Sequence, residues 1–300
     1  MSIRETDVAF ESGDDACKGW FMLPELADAS LPCIVMAHGF GLTRRCSLRE
    51  LAVAFVGAGY AVLLFDYRGF GDSGGQPRQL VSFRRQQEDW NAAIDFARAQ
   101  REVNSSRIAT WGFSLGAGHA LSVAADDAAV AAVVAVAPMF DGLSSTLAAA
   151  RRWSPLNFLR IVGRALRDFV GAGFGRPPVT IRIAGNPGEL ALLTSPDAYP
   201  GYRAIVPSDF NFDIAARIGL LFWTYWPGLR LRQFSRPILV LPSGIDKINP
   251  PGPTMRRARR CESASIVELD CEHMEVVIEP HRSFVIRATL EFLGRSLPSR

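Results

Sequence analysis

Hydrophobic and polar positions alternate along this chain in two distinct rhythms. Residues 3–10 and 16–23 alternate loosely around the polar stretch Glu11–Asp15, which predicts an opening hairpin at the edge of a mixed sheet. Continuous apolar runs then recur: Cys33–Ala37, Ala61–Phe65, Ala129–Ala137 and Ile238–Leu241, with a strand-like run at Arg107–Trp111. Runs of that length and composition predict strands covered on both faces. Ser265–Leu269 predicts a last strand. Between them lie stretches of helical spacing: Leu48–Ala58, Ser82–Gln100, Ala117–Ala125, Pro251–Arg260 and Pro280–Leu293. In Ser82–Gln100 the inner positions are expected to be Phe83, Trp90, Ile94 and Phe96. Strands and helices alternating with short links predict an α/β fold with a mostly parallel central sheet and helices on both faces.

From about Asp141 to Phe234 this rhythm stops. Gly/Pro-rich links (171–178 and 196–207) separate aromatic-rich apolar stretches, with a short strand at Val179–Ala184 and a helix expected over Asp213–Tyr225. The chain therefore divides into a core of residues 1–140 and 235–300 and a mainly helical insertion, 141–234. The insertion reads either as a small subdomain with its own core or as a lid over the carboxyl ends of the strands, and the two can hold together.

Composition bounds the rest. The 300 residues are 48% hydrophobic and 21% charged, enough for one large α/β domain. A net charge of +3 is too small to argue for nucleic acid or an anionic surface. The basic cluster Arg256, Arg257, Arg259 and Arg260 is expected on the wet side of a helix. Cys17, Cys33, Cys46, Cys261 and Cys271 are odd in number and lack a C-x-x-C spacing, which favours a reducing compartment. Met1–Asp15 carries no signal-like apolar run, and no apolar stretch reaches the roughly 18 residues of a spanning helix. A cytoplasmic protein is expected, without metal or organic cofactor, nucleic acid or membrane as partners. A homodimer is left open.

The chemistry centres on Gly112-Phe113-Ser114-Leu115-Gly116, followed by Gly118. A strand-like run leads into it and a helix-like run leaves it, the setting in which a G-x-S-x-G serine sits exposed on a sharp turn. A serine hydroxyl needs a base, and the base an orienting acid. Of four histidines, His273 lies just past the last strand and is the expected base. His38 is expected to brace a loop, His119 to face elsewhere on the Ser114 helix, and His281 to be exposed. Asp246, after the penultimate strand, is the expected acid, with Asp141 the rival and Asp270 too close in sequence to bend back. The order Ser…Asp…His suits this architecture. The oxyanion donors are expected to be the backbone N–H groups of Leu115, at a helix N-terminus, and Phe40, in a loop that Gly39 and Gly41 let bend.

With His38-Gly39-Phe40, the loop Asp66-Tyr67-Arg68-Gly69-Phe70-Gly71-Asp72-Ser73, the Gly112–Gly116 motif, Asp246 and His273 in place, the chain resembles an α/β-hydrolase over most of residues 30–140 and 235–295. Gln76–Leu80, Gln87–Trp90, Ala215–Arg217 and Thr224–Pro227 make it most similar to the group around YcjY-type hydrolases and fungal polyketide transferases, which borders dienelactone hydrolases and X-prolyl dipeptidyl-peptidase-like enzymes. Glu272-His273-Met274 departs from that group's pattern of a small residue, His and Phe. The resemblance implies a serine hydrolase of a carboxylic ester, thioester or lactone, or an acyltransferase with the same triad, and an inserted cap. A non-catalytic receptor using the same pocket is the third reading. The serine at the elbow disfavours a haloalkane dehalogenase, which carries aspartate there. Gly171–Gly175 lacks the strand and helix of a dinucleotide fingerprint.

Overall fold

The structure, a computed structural model, describes residues 2–26 and 30–299. The chain opens with the hairpin β1 (Ile3–Ser12) and β2 (Asp15–Pro24). Then follow β3 (Leu31–Ala37), α1 (Arg49–Gly57), β4 (Ala61–Phe65), α2 (Phe83–Arg98), β5 (Val103–Phe113), α3 (Leu115–Asp126) and β6 (Val130–Val136). After a long excursion the core resumes with β10 (Ile238–Leu241), α7 (Pro251–Ala258), β11 (Ala264–Ile266) and α8 (His281–Ser296). The excursion holds α4 (Gly142–Ala150), α5 (Pro155–Gly173), β7 (Thr180–Ala184), β8 (Ala191–Leu193), α6 (Ala198–Ile205) and β9 (Asp213–Ala215), and ends in short 3-10 turns.

Eight strands form one sheet in the order β1-β2-β4-β3-β5-β6-β10-β11. β2 pairs antiparallel with both β1 and β4, and every later pairing is parallel. β3, β4, β6 and β10 are buried almost without interruption, which is why they read as unbroken apolar runs rather than as alternating ones. On α2, Trp90 and Ile94 are buried as the spacing predicts, while Phe83 and Phe96 are half-buried. Ser82 caps this helix by accepting from the Arg85 N–H. The buried set also includes Asp89, which accepts from the Ser12 hydroxyl at 2.7 Å and the Arg68 N–H at 3.0 Å. All five cysteines are free and buried.

Two expectations need correction. Asp213–Tyr225 is not one helix. β9 pairs antiparallel with β7 through Ile181 and Ile214, and 3-10 turns follow at Ala216–Leu220 and Phe222–Thr224. The backbone of Ala215 and Ala216 donates to the carbonyls of Gln79 and Val179, so distant pairing overrides local helical spacing here. The 141–234 segment thus carries a three-stranded sheet, β8-β7-β9, beside its helices. Within the basic cluster, Arg257 turns inward to Asp141 at 2.6 Å and to the Phe140 carbonyl at 3.1 Å. No helix among the described residues is long and apolar enough to cross a membrane.

The segment is tied together by one buried ion pair. Asp168 of α5 accepts from Arg217 Nε at 2.7 Å and Nη2 at 3.0 Å, and from the backbone N–H groups of Arg217 at 2.8 Å and Val179 at 2.9 Å. It thereby fastens α5 to the turn after β9 and to the start of β7. Removing one partner of such a pair leaves a charge without compensation. Asp168→Ala is expected to lower unfolding free energy by roughly 3–5 kcal/mol in urea titrations. A loss within about 0.5 kcal/mol, the range of an ordinary surface substitution, would contradict this role.

Candidate active site

β5 ends at Phe113 and α3 begins at Leu115, so Ser114 alone makes the turn between them. Its φ of 58° is one that L side chains adopt only under constraint. The constraint comes from both sides. Ser114 N–H donates to Val136 O at 2.9 Å, and its carbonyl accepts from Met139 at 3.0 Å and Ala117 at 3.1 Å. A Cβ on Gly112 would lie 2.3 Å from Gly116 O, and one on Gly116 2.4 Å from His38 O. Both positions therefore exclude any side chain.

Asp246 follows β10 and His273 follows β11, the two strands beyond β6 in the sheet. His273 Nε2 lies 2.9 Å from Ser114 Oγ, and His273 Nδ1 lies 2.5 Å from Asp246 Oδ2. A carboxylate only accepts, so Nδ1 carries the proton and Nε2 is free to accept from the serine hydroxyl. The other Asp246 oxygen accepts from the N–H groups of Ile248 at 2.8 Å and Asn249 at 2.7 Å. The ring of Phe113 stacks on the imidazole with centroids 5.3 Å apart. All three polar side chains are buried.

The other candidates lie elsewhere. Asp141 caps α4 through Ser144 N–H at 2.9 Å and pairs with Arg257, and Asp270 is exposed. His38 donates from Nδ1 to the Gly39 carbonyl at 3.1 Å. His119 faces away from Ser114, between Tyr225 Oη at 2.7 Å and Gln86 Oε1 at 3.0 Å. Burial holds both His38 and His119 down to about 3, so both are neutral near pH 7. His281 starts α8 and is half-buried rather than exposed. Its nitrogen forms a cluster with Cys271 and Glu275 whose donor atoms lie within 4.8 Å of one another. Burial pushes the Cys271 thiol up to about 11.

Neither the Phe40 nor the Leu115 N–H donates to another protein group among the described residues. Leu115 opens the twelve-residue helix α3, whose dipole favours negative charge at that end. The Phe40 loop is pressed against the elbow: a Cβ on Gly39 would come within 2.8 Å of Ser114 Cβ. Two tethers hold that loop. Tyr202 of α6 donates its hydroxyl to the Phe40 carbonyl at 2.9 Å. Asp66 accepts from the Arg44 backbone at 2.6 Å and also from the Arg44 guanidinium. Burial raises the Asp66 carboxyl, and the Arg44 charge opposes that rise.

Sequence reasoning missed Tyr202 and Arg44, and it missed Asn249. Asn249 Nδ2 sits 3.4 Å from Ser114 Oγ and 3.3 Å from Ala137 O, and its Oδ1 accepts from Ser145 at 3.0 Å. Its position three residues after Asp246 is the one signal that could have pointed to it. A cavity of about 520 Å³, its open mouth included, begins at Ser114. Phe40, Met139, Trp153, Leu192 and Phe222 are among its walls, Ser145, Thr146 and Asn249 are polar contributors, and no lining residue is charged.

Comparison with known proteins gives the same architecture. A family model described as serine aminopeptidase, S33 (Hydrolase_4) matches residues 29–175. The chain is 40% identical over 294 residues to the quorum-quenching protein AidA of Acinetobacter baumannii (strain MDR-ZJ06), covering 97% of this chain and 95% of that one. It is 32% identical over 184 residues to the polyketide transferase ATR5 of Stachybotrys chlorohalonatus (strain IBT 40285), covering 61% and 58%. Among solved structures, the α/β hydrolase GrgF from Penicillium sp. sh18 superposes with a TM-score of 0.82 at 24% identity, over 98% of this chain and 99% of that one, a likeness of fold.

Two of the buried histidines, His38 and His119, set an acid limit. Each stays neutral in the folded chain down to about pH 3 but protonates near 6.5 when unfolded. The unfolded state therefore binds more protons below pH 6.5, and stability falls as pH drops toward 3. The expected loss is roughly 1.4 kcal/mol per pH unit per histidine. Urea titrations at pH 7 and pH 5 test this: His119→Gln should lose about 2 kcal/mol less on acidification than the parent chain. Equal losses would contradict it.

Proposed function

The chain belongs to the α/β-hydrolases of the serine aminopeptidase S33 family, and we propose that it is a serine hydrolase that cleaves a carboxylic ester, thioester or lactone through an acyl-enzyme. Ser114 is the nucleophile, His273 the base and Asp246 the residue that orients His273. The observation that carries this reading is the continuous bonding Ser114 Oγ–His273–Asp246 at 2.9 and 2.5 Å. His273 Nε2 takes the hydroxyl proton as Oγ attacks the substrate carbonyl. The negative oxygen is held by the free N–H groups of Phe40 and Leu115, whose loss typically costs about 3 kcal/mol per donor. Collapse of the tetrahedral intermediate expels the leaving group, protonated by His273. Water, deprotonated by the same nitrogen, then attacks the acyl-enzyme and frees the acid.

The acyl part of the substrate is apolar and uncharged. A carboxylate or ammonium in the cavity would lose its hydration and find no counter-ion among the lining residues. More than half of the lining comes from the 141–234 segment, which supports reading that segment as a lid.

A second reading replaces water by another acceptor, making the protein an acyltransferase. The apolar walls favour it, because a dry pocket slows hydrolysis of an acyl-enzyme. The relative named as a polyketide transferase points the same way.

Turnover of p-nitrophenyl esters tests both. Asp246→Asn should lower kcat/KM by roughly 10⁴-fold, and Ser114→Ala by at least as much, while fluorophosphonate labelling of Ser114→Ala should vanish. Unchanged turnover or labelling in Ser114→Ala would sink the hydrolase reading. Free acid as the sole product in the presence of alcohol, amine and thiol acceptors would sink the transferase reading.

A further inference from the structure

α5 has three faces where a surface helix ordinarily has two. One buries Asn157, Ile161, Ala165 and Asp168 against the body. A second carries Arg160, Arg164 and Arg167, all exposed and spaced to share one edge. Arg164 donates only to the Thr180 carbonyl, at 3.3 Å, and none of the three pairs with a carboxylate among the described residues. The one acid of the helix, Asp168, points inward to Arg217. The third face is apolar and turned to solvent. Leu159, Leu166, Phe169 and Val170 are 66%, 49%, 53% and 56% exposed, and Phe174 just beyond the helix is 77% exposed. Scattered exposed apolar residues are ordinary, but a contiguous ridge of this size marks a contact surface.

Charge decides what the ridge contacts. Two copies of this chain packed ridge to ridge about a two-fold axis perpendicular to α5 would run the helices antiparallel. The arginine edge of one copy would then lie beside that of the other, with no acid between them. An apolar ridge flanked by unpaired arginines instead matches an anionic bilayer surface, where the ridge enters the headgroup–acyl boundary and the guanidinium groups meet lipid phosphates. We propose that α5 docks this protein on the surface of an anionic lipid bilayer. A whole-chain charge of +3 conceals the surface because it is local to one helix.

Docking would also place the cavity. A Cβ on Gly219, in the cavity wall, would lie 3.9 Å from both Ile161 and Ala165 on the buried face of α5. Seating α5 on the bilayer therefore brings the cavity close to where apolar acyl compounds partition. This consequence rests on the hydrolase reading, whereas the docking itself does not.

The test is co-sedimentation of the full chain with vesicles containing phosphatidylglycerol or with vesicles of phosphatidylcholine alone, at low and high salt. Binding should require phosphatidylglycerol and weaken with salt. The triple variant Arg160→Gln, Arg164→Gln, Arg167→Gln should bind roughly a hundredfold more weakly. Leu159→Ser with Phe169→Ser should also release the protein, while turnover of a soluble short-chain ester without vesicles stays at the parent value and certifies folding. Parent chain left in the supernatant, or equal binding to both vesicle types, overturns the proposal. So does a parent dimer that Phe169→Ser converts to monomer, since the ridge then belongs to a second copy. A chain that binds vesicles but turns over no ester sinks the hydrolase reading and leaves the docking standing.

Discussion

The backbone at Ser114 is the constraint on which the site depends. A residue with φ of 58° costs on the order of 1–2 kcal/mol relative to relaxed backbone, and such a conformation persists only where its surroundings over-determine it. Here β5 lies near the centre of an eight-stranded sheet, between β3 and β6, so the strand cannot drift. α3 leaves at once, in a space that only glycine at 112 and 116 keeps open. The turn lifts one hydroxyl out of the sheet edge and leaves the Leu115 N–H unpaired beside it. The proposed nucleophile and one proposed oxyanion donor thus arise from the same two residues.

The rest of the site is brought there by parallel topology. β6, β10 and β11 follow β5 in order across the sheet, and in a parallel sheet their carboxyl ends share one edge. Residues that leave those ends, 246 and 273, meet Ser114 although they lie far away along the chain. Partners, not burial, sort the three buried histidines. His38 and His119 are held neutral within structural contacts, while His273 faces a carboxylate on one nitrogen and the serine on the other.

The core was legible because strands buried on both faces must be apolar throughout and because the elbow needs small residues at fixed spacing. The order Ser114, Asp246, His273 follows from the same logic. What stayed hidden depends on partners distant in sequence. Asp213–Tyr225 has helical spacing, yet pairing with β7 and with the Gln79 and Val179 carbonyls claims its first residues for a strand. Asn249 and Tyr202 gain their roles only from loops that fold back on Ser114 and Phe40. Arg257 sits in a basic run that reads as a wet surface, and its partner Asp141 lies beyond β6. α5 has inward and outward apolar stripes that spacing alone cannot rank, because which stripe is covered depends on Arg217 and the turn after β9.

One account of the chemistry follows: a serine made nucleophilic by its neighbours holds an acyl group part-way through the reaction. Rapid-quench mixing with an activated aliphatic ester, followed by intact-mass measurement and peptide mapping, addresses this most directly. The account predicts a mass increase equal to one acyl group, located on Ser114 in the parent and formed far more slowly in His273→Gln. Turnover with no covalent adduct in either protein, or an adduct that maps to Ser145 instead, would contradict it.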